Sequence, residues 1–469
     1  MLNDNILLMS DSYKASHYKQ YPPGTRNIFS YLESRGSDEK EMKQTLFFGL
    51  QYLLKRYFVG QVVTLEKIKE AKSYFDLHLG PGVFNENGWL YILEVHNGHL
   101  PVVVKAVPEG TVLPTNNVLL TIENTDTNCF WLTNYLETLL SQLWYSCTTS
   151  TISYNMKHVI LNALEKSGDP SLIDFKLHDF GCRGVSSMES AAIGGAAHLV
   201  NFKGTDTLPA LQLLRDYYDS DMAAFSIPAA EHSTITSWGK ENELEAYRNM
   251  LDQYPTGFVA VVSDSYDIYD AVKHMWGGSL RDKVLKRNGV TVIRPDSGDP
   301  SKVVPDLLNI LGQRFDVTTN DKGYKVLDNH VRVIQGDGIT RNSLSEILDS
   351  IMDRGWSADN VAFGSGGGLL QQCNRDTLKF AFKCSSAKIN GVDCDVYKQP
   401  KTASWKSSKK GRLKLVKNKM FETVHGSQWA TVQENDNEMP NELVEVFKDG
   451  KLLVDYNLEE VRFRTLTSK

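Results

Sequence analysis

Five short apolar runs, each closing on a polar or glycine-rich loop, constrain this chain more than any other feature. They are FKLHDFG (175–181), FVAVVSDSYD (258–267), VTVIRPDSGD (290–299), VRVIQGDG (331–338) and NVAFGSGGG (360–368). Helix patterns such as PSKVVPDLLNILGQRF (300–315) and RNSLSEILDSIMDRG (341–355) follow them. Buried strands alternating with amphipathic helices at this spacing predict βαβ units around a parallel sheet. Asp264, Asp296, Asp337 and Gly366 each fall just past one of the runs. That carboxyl edge is where ligands bind in barrels and in open α/β sheets. A sugar-phosphate site on the rim is the expectation.

The rest of the chain has a different rhythm. QTLFFGLQYLLKRYF (44–58) reads as helical, and GHLPVVVKAVPEGTVLPTNNVLLTIEN (98–124) reads as short antiparallel strands punctuated by Pro, Gly and Asn-Asn. Another helix is expected over 128–145. The C-terminal part turns polar and basic (KSSKKGRLKLVKNK, 406–419), then strand-like at VEVFKDGKLLVDY (444–456), with KDG as a hairpin turn. A length of 469 residues suits two to three domains. The expected boundaries are an N-terminal part over 1–150, an α/β barrel over 151–384, and a C-terminal segment, 385–469, that returns to the first part.

Composition excludes several classes. A net charge of −6 argues against a general nucleic-acid or anionic-membrane binder. The six cysteines are scattered without a Cys-x-x-Cys pair, which suits reduced thiols in a cytoplasm better than disulfides or a protein-held metal. MLNDNILLMSDSYK has no cationic start, so it does not read as a signal peptide, and no run is long enough to span a membrane.

The rim motifs carry the chemistry. GSGGGLLQ (364–371) lets backbone N–H groups approach an anion ahead of a helix, though alone it reads equally as a tight turn. In RPDSGDP (294–300), Arg294 and Asp296 point the same way, offering a fork for phosphate and an acceptor for hydroxyls; an ordinary Arg–Asp pair is the plainer reading. QGDG (335–338) repeats the idea with Gly336 and Asp337. HDFGCRG (178–184) offers Phe180 as a stacking surface or a core residue, and Arg183 for an anion. Asp206 in GTDT reads as a cap or turn residue. In PAAEHST (228–234), His232 stands within reach of a tautomer-fixing Asp264, while Glu231 has Lys176 as an expected partner; a surface histidine is the bland alternative.

Taken in order, from DSYKASHYKQYPP (11–23) through HDFGCRGVSS, NFKGTDT, PAAEHSTIT, VVSDSYDIY, IRPDSG, IQGDG and FGSGGGLLQ to SKKGRL (408–413), these motifs resemble the nicotinamide phosphoribosyltransferases, within the type II phosphoribosyltransferases. The resemblance implies an irregular (β/α) barrel plus a β-rich α+β domain built from both chain ends. It implies condensation of nicotinamide with 5-phosphoribosyl 1-diphosphate to nicotinamide mononucleotide and diphosphate, in NAD salvage. ATP as co-substrate, Mg2+ accompanying the diphosphate or ATP, and a homodimer sharing its active sites are implied too. By resemblance His232 is a phosphorylated histidine, with Asp264 as its partner and Glu231 paired to Lys176. Arg183 and Arg294 bind diphosphate; Asp296, Gly336 and Asp337 contact ribose; Gly366 and Gly367 hold the nucleotide phosphate. Phe180 and the partner subunit's Tyr13 sandwich the ring, and Asp206 recognises the carboxamide. Arg35, Arg375, Lys383 and Lys398 match cations that the partner contributes around the phosphates.

The chain departs from that pattern at Ala381 and Ala260, where serines are usual, at Cys182, where an aromatic is usual, and in a shorter segment after Arg35. A nicotinate phosphoribosyltransferase is the nearest alternative. Asp206 argues against it, because a buried carboxylate facing the carboxylate of nicotinate costs on the order of several kcal/mol. A non-catalytic binding protein on the same scaffold would be expected to lose charged site residues, and His232, Arg183, Arg294, Asp296 and Asp337 are all present.

Overall fold

The computed structural model describes residues 4–37, 42–402, 407–418, 428–436 and 438–468. Lys406 and Lys419, at the ends of the basic stretch, and most of the short segment after Arg35 lie outside the described residues. Contacts divide the chain into two compact units. One holds Met1–Thr151, Asp216–Asp219 and Cys373–Lys469, and the other Ile152–Arg215 and Ser220–Gln372.

The second unit is built on six parallel strands: β1 (Leu177–Asp179), β2 (Gly204–Thr205), β3 (Thr256–Val262), β4 (Asn288–Arg294), β5 (Val331–Gln335) and β6 (Val361–Ser365). They lie in the order β2-β1-β6-β5-β4-β3. The apolar runs form strands because both of their faces are covered, the condition of a parallel sheet. The helices expected after β4 and β5 are present as Pro300–Arg314 and Arg341–Asp353. Each starts where its sequence says. Asp299 caps the first by accepting from Ser301 N with Pro300 in the opening turn, and Thr340 with Ser343 forms a capping box on the second.

The sheet closes irregularly. Phe225 bridges Gly204 on one edge strand, and Ala229 bridges Ala260 on the other. The segment between them therefore joins β2 to β3 without a ladder, and Pro228 has no N–H to donate to one. Inside, alternate residues face the axis, including Val290 and Val292 on β4, and Ala260, Val292 and Ile334 form a small apolar cluster. These side chains are too small to fill the interior, and a cavity of about 560 Å3 remains.

The first unit holds a seven-stranded antiparallel sheet. Its strand order is Val392–Asp395, Phe380–Ile389, Thr25–Ser34, Val118–Asn124, Val102–Ala106, Val444–Lys448 and Lys451–Leu452. The last two form the expected hairpin, turning at Asp449–Gly450, and Val444–Lys448 pairs with Val102–Ala106. The barrel boundary expected at 384 falls instead at Gln372, because Phe380–Ile389 pairs with Thr25–Ser34. Two helices expected here differ. Residues 44–46 form a strand against Val112–Pro114 before a helical turn begins at Leu50. The stretch 128–145 is broken into Leu132–Tyr135, Glu137–Ser141 and a new helix from Leu143. Short apolar spacing cannot separate these cases, and tertiary pairing decides them.

Candidate active site

Strand register brings the rim residues together. Val262 lies opposite Arg294, Gln335 opposite Phe363, and Ser365 opposite Asp179, so the residues just beyond them share one edge. His232 reaches this edge through the closing segment, since Ala230 N donates to Ala260 O at 2.9 Å. Its Nε2 lies 3.0 Å from Asp264 Oδ1, and its Nδ1 lies 3.9 Å from Asp296 Oδ2. Arg294 Nε stands 3.8 Å from Asp296 Oδ1, too long for a hydrogen bond. That buried Nε has no hydrogen-bond partner among the described residues, a donor suited to an anion. Burial pushes the Asp296 carboxyl above the usual range, and Asp264 and Asp337 add to this against Arg294 and His232.

Phe180 follows β1 and packs against the Ala260–Val292–Ile334 cluster, so it is at once core neighbour and cavity wall. Its N–H donates to Ser365 O at 2.9 Å, which holds it beside Gly366 and Gly367. A Cβ on Gly364 would stand 1.9 Å from Phe180 Cε2, so the placement of the Phe180 ring depends on glycine there. Asp206 also lines the cavity, and its Oδ1 accepts from His178 Nε2 at 2.9 Å and from Ser226 Oγ. Burial raises its carboxyl, but the His178 hydrogen bond and charge, Ser226 and Arg294 outweigh it and hold the group below the usual range. Arg183 is exposed in the loop after Phe180.

The Glu231–Lys176 pair is not formed. Lys176 precedes β1, at the amino ends of the strands, and its Nζ donates to Ala358 O, Asp359 O and Val361 O at 3.1, 2.9 and 3.0 Å. Glu231 lies past the carboxyl ends, where its Oε1 accepts from Ser233 Oγ. The two groups occupy opposite edges of the sheet. His178 and Ser226 were not singled out from sequence. Strand alternation could have found His178, two residues before Phe180 and hence on the same face.

Gly336 follows β5 on the rim, where an added Cβ would stand 3.4 Å from Asp296 Oδ1, and the remaining expected residues, Tyr13, Arg35, Arg375, Lys383 and Lys398, lie in the first unit. Arg35, Arg375, Lys383 and Lys398 line one cavity of about 450 Å3, with Ala381 and Glu137 in its wall. Burial pushes the Lys383 ammonium down; Lys398, Arg35 and Arg375 push the same way, against Glu137. Such a crowd of cations favours an anion among them. Arg35 Nε donates to Glu33 at 2.7 Å, while its buried Nη2 has no partner among the described residues. Tyr13 is exposed, its ring edge-on to His17 with centroids 4.8 Å apart.

Elsewhere in this unit His96, Asp126 and Cys129 bring potential metal-ligand atoms within 4.8 Å of one another. Asp126 is already engaged by Tyr91, His96 and Asn128 N, and burial pushes the Cys129 thiol up to about 12, so their own hydrogen bonds and a protonated thiol account for the grouping. All six cysteines are free. No helix among the described residues is long and apolar enough to cross a membrane.

The chain is similar to known proteins. The family model described as "Nicotinate phosphoribosyltransferase (NAPRTase) family" matches residues 175–451, and that of the "Nicotinamide phosphoribosyltransferase, N-terminal domain" matches residues 5–104. A protein of Xanthomonas campestris pv. campestris (strain 8004) named nicotinamide phosphoribosyltransferase is 51% identical, with 98% of this chain and 97% of the relative covered. Another of that name, from Acinetobacter baylyi, is 33% identical over 98% of this chain and 97% of its own. Among solved structures, nicotinate-nucleotide pyrophosphorylase from Pyrococcus furiosus has a TM-score of 0.60 at 14% identity, covering 100% of this chain and 96% of that one. Human nicotinic acid phosphoribosyltransferase has a TM-score of 0.57 at 14% identity, covering 98% and 93%. At that identity the two structures show the fold.

Proposed function

This chain belongs to the nicotinate phosphoribosyltransferase (NAPRTase) family, and we propose that it condenses nicotinamide with 5-phosphoribosyl 1-diphosphate, releasing nicotinamide mononucleotide and diphosphate. The observation that carries the choice of base is Asp206. Its carboxyl lines the cavity and is held below the usual carboxylate range, so it stays charged. A carboxylate accepts from an amide N–H2 and repels a second carboxylate.

In this reading Phe180 aligns the ring nitrogen with C1 of the ribose, which is catalysis by positioning. That nitrogen is a free nucleophile and needs no general base. It forms the new bond to C1 as the bond to diphosphate breaks. Asp296, Gly336 and Asp337 hold the ribose, Gly366 and Gly367 the 5-phosphate, and Arg183 and Arg294 the departing diphosphate. The unpartnered Arg294 Nε supports that role. Asp296 and Asp337 would hold a magnesium ion arriving with the diphosphate, because a divalent cation would offset both the burial of the Asp296 carboxylate and the charges of Asp264 and Asp337 beside it. Bound there, it would add neutralising charge to the leaving group.

The same reading gives His232 the γ-phosphoryl group of ATP. With Nε2–H donated to Asp264, the lone pair is on Nδ1, which bonds to phosphorus as ADP leaves. Water later takes the phosphoryl group and restores the imidazole. Tyr13 and the Arg35–Lys398 cation cluster would serve a partner subunit in a cytoplasmic homodimer; the free cysteines suit that compartment. Purified protein given each base with phosphoribosyl diphosphate tests the choice of substrate. Faster nucleotide formation from nicotinate overturns it.

A further inference from the structure

We infer that His178 and Ser226 are positioning residues for base selection: together they pin one oxygen of Asp206 and leave the other as the acceptor for the substrate amide. The inference rests on the nicotinamide reading of Asp206 and deepens it.

A carboxylate turns about its last torsion with little preference between its oxygens. Here two donors converge on the same one, His178 Nε2 at 2.9 Å and Ser226 Oγ, and no hydrogen bond among the described residues reaches Oδ2. All three side chains line the cavity. The lone pairs of Oδ1 are thereby occupied, so an incoming N–H2 meets Oδ2. The main chain of Asp206 is tied as well, its N–H donating to Asp179 O at 3.0 Å. A binding group reads a substituent sharply only when its own orientation is locked by such neighbours.

His178 is itself wedged in place. Its strand register partner is Gly204, where a Cβ would stand 2.7 Å from His178 Nδ1, so glycine leaves the slot that the imidazole fills. On its other side the ring meets Phe180, with centroids 5.1 Å apart and planes at 52°. One imidazole therefore braces both the platform for the base and the carboxylate that reads its substituent. It sets the offset between ring and amide that an accepted base must match.

The test is steady-state kinetics of the full chain with nicotinamide and nicotinate, for wild type, His178→Ala, His178→Gln and Ser226→Ala. His178→Ala is expected to raise the nicotinamide KM about tenfold with kcat changed less than about threefold, the loss of one charge-assisted hydrogen bond. The KM for phosphoribosyl diphosphate should hold, and the preference for nicotinamide should fall about tenfold. Gln at 178 can still present an N–H to Asp206 and is expected to recover most of that preference. Ser226→Ala should shift it in the same direction by less. Preference within about twofold of wild type in both alanine variants overturns the inference. So does a fall in kcat with both KM values rising together and no rescue by Gln, which marks a merely structural side chain. If His178→Ala does not fold, Ser226→Ala and His178→Gln decide. A wild-type protein that prefers nicotinate overturns the reading of Asp206 instead, and shows it before any variant is made.

Discussion

His232 is held between two carboxylates by different nitrogens, Nε2 at 3.0 Å from Asp264 and Nδ1 at 3.9 Å from Asp296. The first contact is a hydrogen bond and fixes the tautomer. The second is too long to occupy the lone pair.

His232→Ala is therefore expected to abolish stimulation by ATP and to raise the requirement for phosphoribosyl diphosphate, while ATP-independent transfer persists. Asp264→Asn, which loosens the tautomer, should lower the ATP-stimulated rate about 10–100-fold. Product formation with and without ATP measures both. Unchanged ATP dependence in His232→Ala would remove the phosphohistidine from the mechanism.

Gly364 gives a second test of how the base is held. A methyl group there collides with the Phe180 ring, which packs on one side against the Ala260–Val292–Ile334 cluster. Gly364→Ala should raise the nicotinamide KM by about tenfold or more, and overpacking should cost about 1–3 kcal/mol of stability. Kinetics paired with a thermal melt check it; a nicotinamide KM equal to wild type would show that the ring does not contact the base.

Lys176 predicts a pH effect on stability. Burial pulls its ammonium down to about 7, against the charge of Asp359. In the unfolded chain the amine keeps its proton to about pH 10.4. Between those values unfolding takes up a proton, so the unfavourable contribution is full below about pH 7 and fades as pH rises. The Tm of wild type should gain on that of Lys176→Met between about pH 6 and about pH 9. A difference that stays constant or shrinks over that range would mean that the three carbonyls keep the amine charged.

The cation cavity of the first unit should answer to phosphate alone. Lys398→Ala is expected to raise the KM for phosphoribosyl diphosphate about tenfold, more at low salt, and to leave that for nicotinamide unchanged. An equal effect on both substrates would assign Lys398 to folding.

The rim was legible in the sequence because each of its residues follows a run whose strand character is strong, as Asp264, Asp296 and Asp337 do. What joins the runs was not. Nothing in the periodicity around Phe225–Ala229 marks a barrel closure, since a segment that bridges at its two ends needs no alternation between them. The expected Glu231–Lys176 pair failed because Lys176 opens its strand run, at the amino end, whereas Glu231 follows the closing segment at the carboxyl edge. His178 lay within a quoted motif, but its bonding to Asp206 exists only once β1 and β2 are side by side.

That bridging segment bears on how such a protein changes over generations. Ser226 and Ile227 line the cavity, and Pro228 offers only its carbonyl to Ala260 N, so between the bridges at Phe225 and Ala229 the three form no continuous ladder. Substitutions among them alter what the cavity presents while leaving the strand hydrogen bonds intact. Preference among related ring substituents is thus open to single-step drift at this stretch, whereas the glycines and aspartates of the rim are not free to follow.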